Sequence, residues 1–295
     1  MRPFAIAVLA ALIAPVFAAD FANGLEAWRE QRLEKLLREE SWTSLVGLHW
    51  LDPAVATRIG SNTDNEVVIA GLPERFGVIR HDEGRWLLAP APGVEARVDG
   101  AELANEMPIL SRDNDAAARA PTVEAGRIRF VLIERAGRVG IRVWDTQAPT
   151  RVDFPGIEMF PADPDWQVEA RWQAHEPLRT IDIATVIGTV EPMPNPGAAV
   201  FERDGHEFRL EALREHGSDE LFFIFADRTS GATTYGAGRY LYTPLPAGAA
   251  VTLDFNRAFN PPCAFSSFAT CPLPPPENRL DLRVTAGEKA FRGRH

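Results

Sequence analysis

Apolar and polar positions alternate along this chain in short blocks, and only one stretch keeps a helical rhythm. Leu25, Trp28, Leu33, Leu36 and Leu37 recur at helical spacing with Glu and Arg between them. That spacing predicts a helix over residues 24–40 with Asn23 as its N-cap. From Ser44 the rhythm shortens. The runs 45–48, 66–69, 77–79, 86–88 and 96–98 are separated by turn formers such as Asp82-Glu83-Gly84 and Asp99-Gly100. Short strands at this spacing predict a small sandwich. Residues 112–120, Arg-Asp-Asn-Asp-Ala-Ala-Ala-Arg-Ala, read as a linker or exposed loop. A second β series follows: a hairpin over 127–144 about Gly137, the runs 166–172, 180–187 and 199–202, the apolar strand 220–226, and closing strands 251–255 and 280–284. Asp204-Gly205 between alternating runs is the signal of a two-residue hairpin. The pattern therefore predicts an all-β protein: an N-terminal helical segment at 19–43, a β-sandwich at 44–111, and a second β-barrel or sandwich domain at 121–291.

The first residues change the picture of where the chain works. Arg2, an apolar run from Phe4 to Phe17 and small residues up to Ala18-Ala19 form the pattern of a signal peptide over 1–18. The run is shorter than the roughly 20 residues a spanning helix needs, so the expectation is periplasmic or secreted with no membrane span. An exported chain meets an oxidising compartment, so Cys263 and Cys271, eight residues apart, are expected to form a disulfide. Acidic residues outnumber basic ones, 41 to 31. That balance excludes a general nucleic-acid binder, which would carry a basic surface.

Chemistry is harder to find. The chain has no Gly-x-Ser-x-Gly and no Ser-x-x-Lys, its histidines have no metal-ligand spacing, and no glycine-rich loop opens a helix. No metal and no cofactor are expected. The dense polar segment is 227–288, where Asp227 and Asp254 each end an apolar strand. Ionisable groups there need partners, and Arg239 and Arg257 are the natural ones. Two readings stand side by side. In one, Asp, Asn and Arg brace a long, proline-stiffened loop by bonds to backbone, with the disulfide as staple. In the other, Tyr235, Arg239, Asn256, Arg257 and Asn260 line a pocket for a polar or anionic small molecule or a glycan. Arg239, Asp254 and Arg257 would then converge beneath the disulfide loop as its floor. If the protein is a hydrolase, Asp254 and Glu277 are the carboxylate pair for acid and base roles. Whether it is an enzyme stays open, and no particular protein partner is indicated.

Two resemblances add to this. Arg58-Ile59-Gly60-Ser61, Asn65 to Ile69, Trp86-Leu87-Leu88 and Val98-Asp99-Gly100 resemble the forkhead-associated domain family. The likeness implies a sandwich that serves as a protein-docking module. Ser61 stands where that family has arginine, and Glu74 and Gly77 stand near its phosphate-contacting serine and buried histidine. The sandwich is therefore expected not to read phosphothreonine. Asp254-Phe255-Asn256-Arg257-Ala258, Asn260 to Phe265 and Cys271 to Asn278 strongly resemble the domain-of-unknown-function 1684 family, as do Ser44 to Leu51 and Arg142 to Asp145. This second resemblance implies no reaction.

Overall fold

The computed structural model describes residues 6–111 and 120–293, without the side chains of 6–19 and 111. The ends of the signal and linker segments, residues 1–5 and 112–119, lie outside the described residues. The fold is mostly β, as the alternation predicts, and the chain divides into two compact units. A sandwich unit takes residues 36–154 with 265–269. A C-terminal unit takes the residues up to Lys35, then 155–264 and 270–293.

The sandwich unit is built from β1 (Leu45–Trp50), β2 (Thr57–Gly60), β3 (Val67–Val68), β4 (Gly77–Asp82), β5 (Arg85–Pro90), β6 (Arg97–Val98), β7 (Ala101–Glu102), β8 (Met107–Ser111), β9 (Val123–Ala125), β10 (Ile128–Arg135) and β11 (Arg138–Asp145). They form a six-stranded sheet in the order β1-β11-β10-β9-β6-β7 and a five-stranded sheet in the order β3-β2-β4-β5-β8. Ile59, Ile79 and Leu88 from one sheet and Ile128, Phe130, Leu132, Ile141 and Val143 from the other share one buried cluster. Its hydrophobic burial holds the two faces together. The hairpin of β10 and β11, expected to open the second domain, instead pairs with β1 in this sandwich. The reason is burial: residues 140–144 of β11 are buried without a break, so the strand needs neighbours on both edges, and β1 supplies the second.

The C-terminal unit contains most of α1 (Ile6–Leu36), then β12 (Gln167–Ala184), β13 (Val190–Arg203), β14 (His206–Ala212), β15 (Glu220–Phe225), β16 (Arg239–Pro244) and β17 (Ala250–Asp254). Four strands pair in the order β14-β13-β12-β17, and β15 pairs with β16. Trp166, Phe201, Leu210, Phe223, Phe225, Leu253 and Phe255 fill its core. The expected Asp-Gly turn joins β13 to β14, with Asp204 and Gly205 both in the left-handed region at φ 52° and 75°.

Three boundaries differ from the pattern. The helix begins well before residue 24, so Asn23 lies inside it, because the apolar run upstream is itself helix-forming. It stops at Leu36, whose carbonyl accepts from the hydroxyls of Ser41 and Thr43 at 2.6 and 2.5 Å. The runs 166–172 and 180–187 fall mostly on one long strand, β12, with a register shift between Ala174 and Arg179. Residues 280–284 are not a strand, because turn and side-chain donors take their carbonyls: Arg228 N donates to Leu282 O at 2.9 Å and Arg239 to Val284 O.

Candidate functional site

The polar segment resolves first. Phe225 pairs with Arg239 across β15 and β16, so the loop 226–238 brings Asp227 back to Arg239. Asp227 Oδ2 accepts from Arg239 Nη2 at 2.8 Å and from Val284 N at 3.1 Å, while Oδ1 accepts from Thr229 N at 2.7 Å. Arg239 also donates to the carbonyls of Val284 and Ala286. Both side chains are buried, 1% and 0% exposed. Burial draws the Arg239 guanidinium below its ordinary value, and the Asp227 charge opposes that shift. This is a brace for the 284–286 segment with no face left for a ligand.

The expected convergence of Arg239, Asp254 and Arg257 therefore divides into two separate pairs. Asp254 caps a short 3-10 turn, accepting from Asn256 N at 3.1 Å and Nδ2 at 3.0 Å. Arg257 Nε lies 3.2 Å from Asp254 Oδ2 without hydrogen-bond geometry. Asn256 clamps Asp163 through both backbone groups. Asn260 donates through its backbone N to Glu288 Oε2 at 2.7 Å and through Nδ2 to Lys289 O at 2.8 Å. Tyr235 donates to the Cys263 carbonyl at 3.1 Å, and burial raises its phenol above the usual value. Cys263 and Cys271 form the disulfide. Glu277 is exposed on a 3-10 turn, and among the described residues no hydrogen bond or ion pair joins it to Asp254. Its neighbour Asn278 is buried and bonds both backbone groups of Glu211. A second polar cluster lies there: Glu211 accepts from His175 at 2.8 Å, Asn195 at 3.1 Å and Arg209 at 2.7 Å. Burial pushes the Glu211 carboxyl up, but these three donors outweigh it and hold the carboxyl below its ordinary value.

Among the described residues of this unit a cleft lies elsewhere, beside α1. A cleft of about 380 Å³ is lined by Glu26, Trp28, Arg29, Arg32 and Leu33 of the helix, by Gly156, Ile157 and Met159, and by Glu288. Helical spacing places Glu26, Arg29 and Leu33 along one stripe, and a Cβ on Gly24 would lie 3.7 Å from Arg257 Nη2. Gly287, at φ 78°, precedes Glu288; any side chain there would meet the Ala258 carbonyl at 2.4 Å. The close approach lets Glu288 N bond Ala258 O at 2.8 Å, which seats the Glu288 carboxylate, 1% exposed. Arg32 is held on three sides: Nε donates to Glu288 Oε1 at 2.9 Å, Nη2 to Asn260 O at 3.0 Å, and its plane covers Phe259 at 4.5 Å. Arg29 is held far less. Its Nη1 is 3.5 Å from Glu26, whose side chain is 64% exposed, and its buried Nε has no hydrogen-bond partner.

The sequence pattern missed this cleft. Arg29 and Arg32 are three apart on a helix to which the sequence pattern assigns no site residue, and Glu288 lies at the edge of the polar segment. The available signal was the pair of arginines on one helical face beside Trp28.

A family model described as a protein of unknown function (DUF1684) matches residues 152–289. No curated protein matches the chain. Among solved structures, an uncharacterized protein of Haloarcula marismortui, determined by solution NMR, is similar at 36% identity with a TM-score of 0.40. The match covers 47% of this chain and 78% of that one.

Proposed function

We propose that this chain, which belongs to the DUF1684 family through residues 152–289, is an exported binding protein that holds a small ligand in the cleft beside α1. Export rests on the signal pattern of residues 1–18. The observation that carries the binding reading is Arg29: a cation on the cleft wall with a buried, unpartnered Nε. Most buried donors in folded proteins are satisfied, and an unpartnered one on a side chain that lines a cavity marks a place for an acceptor. Size agrees, because small-molecule sites run from roughly 300 to 1,000 Å³. Of the residues first expected to line a pocket, Asn260 supports Glu288 on the cleft wall, and Asn256 holds Asp163 outside it.

The test is a fragment screen on the exported protein, read by backbone and tryptophan-indole chemical shifts. Saturable shifts should gather at Trp28, Arg29, Ile157 and Met159 and vanish in Arg29→Ala. Shifts that gather elsewhere, or that survive in Arg29→Ala, would retire the site.

A further inference from the structure

From the balance of charge in this cleft we infer its ligand class: a small monocarboxylate with an apolar body. The inference rests on the binding reading above and specifies what the site takes. Four charged side chains line the cleft, Glu26, Arg29, Arg32 and Glu288. Arg32 and Glu288 cancel each other in a bonded pair, and Asn260 N takes the second oxygen of Glu288. That pair has no need of a ligand ion.

Arg29 differs. Its contact with Glu26 is long, at 3.5 Å, and the exposed Glu26 carboxylate is screened by water. The Arg29 side chain lines the cleft, and its Nε is buried without a hydrogen-bond partner. A guanidinium so weakly paired can take a planar carboxylate with two parallel hydrogen bonds. The site thus offers one anion-binding group, flanked by carboxylates. A phosphate dianion or a dicarboxylate would bring a second negative charge beside Glu26 and Glu288 with no second open cation to meet it.

The remaining walls are apolar: Trp28, Leu33, Ile157 and Met159. Leu33 is 43% exposed, so a ligand body lying on the helix would cover surface now open to water. Trp28 and Met159 suit either a chain or a ring, since a thioether and an indole adapt to both. At roughly 30 Å³ per water-sized group, a cleft of about 380 Å³ holds about a dozen heavy atoms. Octanoate and 3-phenylpropionate are of this size and class.

Titration calorimetry of the exported protein with five probes decides the matter: octanoate, 3-phenylpropionate, octan-1-ol, succinate and inorganic phosphate. The two monocarboxylates should bind saturably, at least tenfold more tightly than the alcohol, the diacid or phosphate. Arg29→Gln should weaken both monocarboxylates tenfold or more with an unchanged melting temperature, and Arg29→Lys should restore only part of the loss. Arg171→Gln, at an exposed arginine outside the cleft, should change nothing. If succinate or phosphate binds through Arg29 and the monocarboxylates do not, the ligand class is wrong and the cleft stands. If octanol binds as well as octanoate and Arg29→Gln has no effect, the charge argument is overturned. If no probe gives a saturable signal, the inference fails, while the fragment screen judges the cleft by itself.

Discussion

Arg239 and Arg257 look alike in the sequence, and their surroundings give them opposite weights. Arg239 and Asp227 are desolvated partners, and removing one member of such a pair leaves an uncompensated buried charge, typically destabilising by about 3–5 kcal/mol. Arg257 is 42% exposed and faces Asp254 without a hydrogen bond, a contact of the kind worth about 1 kcal/mol or less. Urea denaturation should therefore show Arg239→Ala losing several kcal/mol and Arg257→Ala almost none. Comparable losses in the two variants would contradict the division into a brace and a surface contact. Glu211 carries a pH signature. Its folded-state carboxyl is held below its ordinary value, so its contribution is fully present above the unfolded value, near 4.3. That contribution drains away as pH falls through the lower folded value. The urea midpoint of the wild type should fall more steeply between about pH 5 and pH 3 than that of Glu211→Gln. Parallel slopes would show that the His175, Asn195 and Arg209 bonds do not favour the ionised form.

At the scale of elements, β13 shows how one strand serves two environments. Residues 197–203 pair with β14, whereas Val190–Asn195 pair with β12, and on their other side Pro194 O accepts from Arg214 N at 3.0 Å. Pro192, Pro194 and Pro196 recur every second residue in the part beyond the β14 pairing, and none of them has an N–H to offer a further strand. Prolines so placed keep an edge from recruiting another strand. Gly197, where the β14 pairing begins, has no room for a side chain: a Cβ would meet Gln173 O and Trp172 Cζ2 at 2.5 Å. Gly197→Ala should destabilise by about 1–3 kcal/mol, the usual range for overpacking, seen as a lower melting temperature. An unchanged value would mean that β12 can shift to make room. The disulfide closes a loop of eight-residue separation, for which the chain-entropy model gives about 2–3 kcal/mol. Paired Cys263→Ser and Cys271→Ser substitutions should lower stability by that amount, measured against the oxidised wild type.

Across the whole molecule, the signal pattern of residues 1–18 leads to the expectation of export. Protein recovered from the periplasm should begin at Ala19 and contain no alkylatable thiol, and intact mass with and without reductant reads both at once. A retained 1–18 segment would remove the premise of an exported binder. The all-β class, the strands of the sandwich, the Asp204-Gly205 turn and the disulfide were legible in the sequence because each depends on neighbours a few residues apart. Alternation, turn chemistry and cysteine spacing are local signals. The domain boundary was not legible: whether the 127–145 hairpin joins the strands before it or after it depends on which edge β11 finds, and that edge is Leu45–Trp50, some 90 positions away. The proposed cleft was not legible for the same reason. Composition concentrates Asp, Asn and Arg in 227–288, but only the tertiary structure decides which of those groups are already spent. Arg239 is enclosed by Asp227 and by the carbonyls of Val284 and Ala286, whereas Arg29 reaches a cleft completed by Met159 and Glu288. A charged residue's type is written in the sequence, but its unsatisfied bonding capacity is a property of the fold, because partners brought from other segments of the chain complete or withhold it.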